Sequence, residues 1–291
     1  MYSAIAANKR NTVVIMAIFV VIIGALGWIL SNMYGNTSYL YLALVISGVY
    51  AFIQYFLAAK LALAVNGARE VQKSDNPRLY RAVENLTIAT GMPMPRVYIM
   101  DDSAPNAFAT GRDPNHAAVA VTSGLLNIMD DTELQAVLAH ELGHVQNYDI
   151  RVMMIVFGLV SAIGFIADMM LRMMWWGGND REERNPTFVI LGLVAAILAP
   201  FVALLVQLAV SRQREYLADS TSALTTRYPQ GLISALQKIE HTGSTMRHQN
   251  TSTAHLFFAN PLKGSSFAKF FSTHPPIADR IARLQTIGTK L

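Results

Sequence analysis

Two kinds of hydrophobic pattern alternate along the chain. One is the unbroken apolar run. Thr12 to Leu30 is almost wholly apolar, and at 1.5 Å per residue it spans about 28 Å as a helix, enough to cross a bilayer. A second run, Tyr39 to Ala59, follows the short uncharged loop Ser31–Ser38, and Gln54 is its only strongly polar residue. Lys9 and Arg10 before the first run also fit a cleaved signal, but the run is longer than a usual signal core, so an uncleaved helical hairpin is expected. Val152 to Leu171, weakened by Ser161 and Asp168, and Thr187 to Val210, with Pro200 and Gln207, form a third and a fourth run. A buried helical pair in a soluble domain is the alternative for these two. Length and composition favour spans.

The other pattern is periodic. Leu61 to Asp149 is soluble in character. Asn76-Pro77 opens a helix to about Thr90, with Pro77 suited to the first turn. Arg96–Met100, Asn106–Thr110 and Ala117–Thr122 read as short strands. Asp130 to His144 reads as an amphipathic helix. Asp130 can cap it, and Glu133 completes a capping box. Leu134, Val137, Leu138, Leu142 and Val145 recur at helical spacing as a buried stripe. No Pro or Gly interrupts Gln207 to Leu224, so the fourth run continues as one helix past the membrane surface. Gly231 to Glu240 and the stretch after His274-Pro275-Pro276 are also helical, the latter burying Ile277, Ile281 and Leu284. Core packing is the preferred account of Phe257 and Phe258.

Composition strengthens the membrane reading. The chain is 53% hydrophobic and 14% charged, against about 25% charged for a soluble domain. Net charge is +4 without a Lys/Arg cluster, so no nucleic-acid partner is expected. The basic residues Lys9, Arg10, Lys60, Arg69, Lys73, Arg212 and Arg214 flank the apolar runs and set both termini and the intervening soluble part in the cytoplasm. There is no cysteine, so any metal must be held by His, Asp or Glu.

The candidate chemistry lies on the Asp130 helix. His140 and His144 are one turn apart on one face and can grip one zinc ion. Glu141 lies about 100° further round, where a base can take a proton from a water that the ion activates. Two surface histidines on an ordinary helix would be the bland alternative. Glu215 and Asp219, also one turn apart, can add a third ligand and an acceptor for a ligating histidine's second N–H. A solvated, charged helix end accounts for that second pair equally well when it is taken alone.

Four motifs decide between these readings. Asn106-Ala107-Phe108-Ala109-Thr110-Gly111, His140-Glu141-Leu142-Gly143-His144, Glu215-x-x-Ala218-Asp219 and Ser272-Thr273-His274-Pro275-Pro276 stand in one order. Together they resemble HtpX-type membrane zinc proteases, relatives of the CaaX prenyl endopeptidases. The resemblance covers nearly the whole chain, with no departure at the ligand positions. It implies one Zn2+ per chain on His140, His144 and Glu215, Glu141 as base, and Asp219 behind the ligands. It also implies that one or both of His274 and Arg280 reach the oxyanion of the tetrahedral intermediate, with capping and ion pairing as their alternative. A zincin-like cytoplasmic domain and a role in membrane-protein quality control complete the implication.

The expected fold is α+β, mainly α. It is an integral membrane protein with about four transmembrane helices and a catalytic domain carrying a small sheet. The expected divisions are 1–60, an N-terminal hairpin; 61–150, the first catalytic part; 151–210, a second helix pair; and 211–291, the second catalytic part. The expected function is that of a zinc endopeptidase of the inner membrane, acting at the cytoplasmic face on misfolded membrane proteins and unfolded polypeptides. An intramembrane protease conflicts with Asp130, Asp131, Glu133 and Gln135 on the motif helix. A catalytically silent adaptor or chaperone conflicts with the intact Glu141. Asn106, Ala107, Phe108 and Ala109 are the expected substrate edge, on which an extended peptide adds a strand. His116, His241, His248 and His255 lack ligand spacing.

Overall fold

The computed structural model describes residues 2–159, 161, 212–243, 245–247, 253–261 and 275–289. Two long helices lead the chain, α1 (Tyr2–Tyr34) and α2 (Ser38–Val65), and the turn between them uses Gly35 at φ 65. By length and composition Ile5–Ala25 and Ser38–Val65 could each cross a membrane. Both helices outrun the apolar stretches expected of them. Nothing in Tyr2 to Asn11 breaks a helix, and α2 stops only at Asn66 and Gly67, where φ is 63.

Residues 149–159 are helical and begin the third apolar run. The rest of that run, apart from Ser161, and the fourth lie outside the described residues. Ile15 and Phe19 of α1 pack with Val152, Ile155, Val156 and Leu159. Asn8, nearer the start of α1, meets Asp149. The paired positions ascend together, so α1 and segment 149–159 run in the same direction. The α2 helix returns beside them, with Tyr50 Oη donating to the carbonyl of Gly158 at 2.6 Å. Leu42, Val45, Ile46, Val49, Phe52 and Ile53 of α2 face outward. Such a row of large apolar side chains suits lipid rather than water.

A four-stranded sheet lies below the helices. Its strands are β1 (Ala68–Glu70), β2 (Arg96–Met100), β3 (Ala107–Gly111) and β4 (Ala117–Thr122). The order is β1-β2-β4-β3, with β2 and β4 parallel and the other pairs antiparallel. The three-residue β1 carries no periodic signal and was not expected. Side chains alternate between the faces. Val97, Ala107, Ala109, Val119 and Val121 join the core around the motif helix. Tyr98, Met100, Phe108, Ala118 and Ala120 pack with Ala58 and Ala62 of α2 and with Met153, Met154 and Phe157. The sheet therefore stands between the motif helix and one end of the long apolar helices.

Helix α3 (Pro77–Thr90) is capped by Asn76, whose side chain accepts from Leu79 N, and it ends on left-handed Gly91. The short α4 (Ser123–Ile128) follows β4, and then comes the motif helix α5 (Asp131–Gln146). The remaining described helices are α6 (Arg212–Thr226), α7 (Pro229–Thr242) and α8 (Ile277–Gly288). The fold is α+β and mainly helical, with a small mixed sheet.

Candidate metal centre

The sequence of α5 explains its position. Asp130 Oδ1 accepts from Glu133 N at 2.8 Å, and Glu133 Oε2 accepts from Asp130 N at 2.8 Å, so the capping box closes. Glu133 is itself buried, and Lys238 Nζ and Ser234 Oγ of α7 each reach it at 2.6 Å. Gly143 lets α6 come close: a Cβ there would stand 3.3 Å from Thr221 Cβ and 3.4 Å from Ala218 Cα. Ser222 Oγ fastens the same pair by donating to Ala136 O at 2.7 Å. An amphipathic stripe understates this helix. From Ala136 to Val145 every residue is buried, because α6 and α7 cover the side that carries the polar residues.

This close packing sets Glu215 of α6 against the two histidines of α5. His140 Nε2 and His144 Nε2 lie 3.2 Å apart, and Glu215 oxygens stand 3.7 and 3.5 Å from them. A tetrahedral zinc with bonds of about 2.0–2.1 Å separates its ligand atoms by about 3.3–3.4 Å. The donor set therefore fits such an ion. It is also dry, since His140, Glu141, His144 and Glu215 are all at most 4% exposed.

Each imidazole has a different support behind it. His140 Nδ1 lies 2.9 Å from Asp219 Oδ1. Asp219 is gripped by Arg280 of α8, Nε to Oδ2 at 2.9 Å and Nη2 to Oδ1 at 2.6 Å. The Arg280 guanidinium also lies over the Phe258 ring, which meets His140 edge-on at 4.9 Å. His144 Nδ1 lies 2.9 Å from Asp149 Oδ2. Asp149 is held from the membrane side: Asn8 Nδ2 of α1 donates to its Oδ1 at 2.6 Å and to Asn147 O at 2.9 Å. Arg214 joins them, with Nη1 3.5 Å from Asn8 Oδ1 and Nε 3.9 Å from Asp149 Oδ1.

These surroundings pull the two histidines apart electrostatically. Burial pushes His140 down to about 4, helped by the Arg280 cation and opposed by the hydrogen bond that His140 donates to Asp219. Burial also depresses His144, but the hydrogen bond to Asp149 and the charges of Glu215, Asp149 and Glu141 outweigh it and lift the imidazole to about 9. Burial raises Asp219, yet Arg280 and His140 overcome that and hold it at about 2. The carboxylates around His144 leave this buried cluster short of positive charge, which a metal cation would supply.

Several expected site residues fall elsewhere. His274 lies outside the described residues. Arg280 was expected at the oxyanion. Its guanidinium is instead spent on Asp219, the ion-pairing alternative. The edge at Asn106 and Ala107 was expected to be open, and the chain itself covers it. Phe258 N donates to Ala107 O at 2.8 Å, and the Asn106 amide bonds both N and O of Ala259 at 3.0 and 2.8 Å. Asn106 is fully buried, so its side chain is not free for a peptide. Phe108 points into the core against Phe257, ring centroids 5.0 Å apart. Ala109, one alternation beyond Ala107, turns its main-chain groups to the same outer edge. Sequence reasoning missed Asp149, Asn8 and the contact of Phe258 with His140. Only Asp149 had a local signal, as a carboxylate five residues past His144, and Tyr148 at φ 62 turns the chain back to bring it there.

Comparison with known proteins finds relatives along the whole chain. Residues 73–288 match the family model of Peptidase family M48. A protease HtpX homolog of Tropheryma whipplei strain Twist is 54% identical over 290 residues, covering 100% of this chain and 99% of the relative. One from Lactobacillus helveticus is 44% identical over 296 residues, covering 98% and 99%. Among solved structures, the crystal structure of S. mikatae Ste24p matches with a TM-score of 0.52 at 19% identity. That match covers 93% of this chain and 62% of the other, and it is a likeness of fold alone.

Proposed function

The chain belongs to peptidase family M48 and is a membrane-bound metalloprotease, and on that premise we propose that His140, His144 and Glu215 hold one zinc ion and that Glu141 is the general base. The single observation carrying this is the buried His140–His144–Glu215 cluster, whose donor atoms all lie within 4.8 Å of one another. When bound, zinc supplies Lewis-acid polarisation and a water of lowered pKa. Glu141 takes the proton from the attacking water and delivers it to the leaving amine. Asp219 and Asp149 accept the outer N–H of His140 and His144, fixing each ring with Nε2 toward the ion. Arg280 keeps Asp219 ionised and in place. His274 is assigned to the oxyanion on the family resemblance alone.

The substrate is a polypeptide laid along the remaining outer edge of β3, with main-chain hydrogen bonds to Ala109. Cytoplasmic loops and unfolded tails of inner-membrane proteins fit this site best. Support comes from Asp149, where segment 149–159 begins and which meets His144, and from Asn8 of α1, which holds Asp149, so the site lies at one end of the apolar helices. Four spans with both termini in the cytoplasm agree with the flanking Lys and Arg residues. Quality control of membrane proteins follows from the resemblance.

Metal analysis and peptide cleavage on purified wild-type protein test the chemistry. One zinc per chain and chelator-sensitive cleavage are expected, and full activity in metal-stripped protein would refute it. The chain has no cysteine of its own, so a cysteine introduced at Lys73 reports topology. Labelling of that cysteine from outside intact cells would overturn the cytoplasmic assignment.

A further inference from the structure

Away from the metal, a cavity of about 350 Å3 opens between the lower end of α2, the turn after β3 and the start of segment 149–159. Lys60, Arg96, Arg112 and Arg151 line it together with Tyr55 and Phe56. The two inner guanidiniums are held in place. Arg151 Nε donates to Arg112 O at 2.6 Å, and its Cζ lies 4.9 Å from the Tyr148 ring and 5.8 Å from the Tyr55 ring. Arg112 Cζ lies 5.1 Å from the Phe56 ring.

Charge balance at this cavity is one-sided. Asp113 is the one carboxylate among its described ion pairs, and His116 at 2.8 Å and Arg112 at 3.5 Å share it. Among the described residues, no carboxylate pairs with Lys60, Arg96 or Arg151. Among the described residues, four cations gather about one shared carboxylate, so they repel one another, and an anionic ligand relieves that cost.

The place in the fold narrows the ligand. Directly above the cavity, α2 turns Phe52, Phe56 and Leu57 outward, 65, 43 and 42% exposed, and its apolar face continues upward through Val49, Ile46, Val45 and Leu42. A cationic cup with an apolar outer wall rising from it matches a molecule with an anionic phosphate head and hydrocarbon tails. We propose that this cavity binds the headgroup of an anionic phospholipid, with the acyl chains lying along the outward face of α2. The proposal rests on α2 standing in the bilayer with its Lys60 end at the surface. It couples lipid to the protease through the chain. Arg112 directly follows β3, and Arg151 stands two residues beyond Asp149, which supports His144. A bound phosphate would steady both.

The test uses the full-length protein in nanodiscs of phosphatidylcholine alone or with phosphatidylglycerol, and native mass spectrometry of lipid retained after transfer to detergent. Wild-type protein should retain phosphatidylglycerol and not phosphatidylcholine. Retention should fall about fivefold for Arg112→Gln or Arg151→Gln and about thirtyfold for both, as expected for juxtamembrane basic residues. Arg81→Gln, on α3 away from this cavity, should change nothing. Where the double variant does not fold, the two single variants and Lys60→Gln decide. Millimolar inorganic phosphate should leave the lipid in place. Displacement by phosphate would make this a site for free phosphate and overturn the lipid assignment. Equal retention in folded variants overturns the site, and preferential retention of an added acidic peptide would make it a peptide site instead. Membrane insertion and bound metal are measured on the same samples. Loss of insertion would count against the membrane placement of α2, whereas intact insertion with unchanged lipid counts against this proposal alone.

Discussion

The two histidines of one motif are supported by two different parts of the molecule. Behind His140 stand Asp219 and Arg280, both on helices of the domain that carries the sheet. Behind His144 stand Asp149 and Asn8, one just before the third apolar run and the other on the long apolar helix α1. The two surroundings also pull in opposite directions, lowering His140 and raising His144. The lesson is that the proposed metal centre is a joint. Its domain side is built by an ion pair buried with the ligands. Its other side is built by the Asp149 carboxylate, held by the Asn8 amide that helix packing brings in and approached by Arg214. Damage to either side should therefore leave a different signature.

The largest effect removes the joint itself. His140→Ala/His144→Ala should lose the metal entirely, since one carboxylate cannot hold it, and inductively coupled plasma analysis of the purified protein reads this out. Stoichiometric zinc in that variant would end the assignment of both sides at once. Next in size is Glu141→Gln, which belongs to neither side. The amide is nearly isosteric and cannot take up a proton, so kcat should fall at least about 10²-fold with bound metal unchanged. Near-normal turnover would remove Glu141 from the role of base.

Much of this was legible in the chain. The His140–His144 spacing, the capping box at Asp130 and the unbroken stretch around Glu215 are local patterns, and local patterns are what helical periodicity encodes. The strands Arg96–Met100 and Ala117–Thr122 were legible for the same reason. Asn8 was not, because its partner lies 141 residues away and nothing repeats around a single amide. The cover over β3 at Asn106 and Ala107 was hidden likewise. An exposed edge is a liability that folded chains cover, and the covering segment, Phe257 to Ala259, has no strand pattern of its own.

The aspartates separate the sides. Asp149→Asn and Asp219→Asn should each weaken metal binding about 10–100-fold, the usual cost of losing the partner behind a ligating imidazole. Asp219→Asn also leaves Arg280 buried without its carboxylate, so it should cost more stability than Asp149→Asn, measured by thermal unfolding in detergent. Equal destabilisation would mean that the Asp219–Arg280 pair is not the stiffer support.

Metal-free protein should show the opposite signs directly. His144 has a folded-state pKa near 9, above its ordinary 6.5. Its stabilisation is therefore complete below pH 6.5 and lost as pH rises through about 9. His140, at about 4, is below its ordinary value. The unfolded chain then binds the extra proton between pH 6.5 and 4, and stability falls as pH drops through that window. Stability should peak near pH 6.5, each arm worth up to about 3 kcal/mol. Asp149→Asn should flatten the alkaline arm and spare the acid one, and metal should abolish the alkaline arm in wild type. A profile that stays flat from pH 6.5 to 9 would contradict the charge assigned to the membrane side.

The smallest expected effect is the most specific to the joint. Asn8 touches no ligand. It acts through Asp149, donating one N–H to the carboxylate and sharing the other contact with Asn147 O. Asn8→Ala removes a buried hydrogen bond to a charged group, which is worth about 1.5–3 kcal/mol. Only part of that reaches the metal, since Arg214 still lies near Asp149, so metal affinity should drop about fivefold rather than by the larger factor of Asp149→Asn. Asn8→Asp puts a second carboxylate against Asp149, and Asn8→Gln keeps the donor on a longer arm. Metal affinity should therefore fall in the order wild type, Gln, Ala, Asp, with α1 still inserted. A merely structural role for Asn8 would lower the unfolding temperature of all three variants and leave the competition between zinc and a chelator unmoved. If that competition does not change, α1 only packs beside the site, and the membrane side of the joint reduces to Asp149 alone.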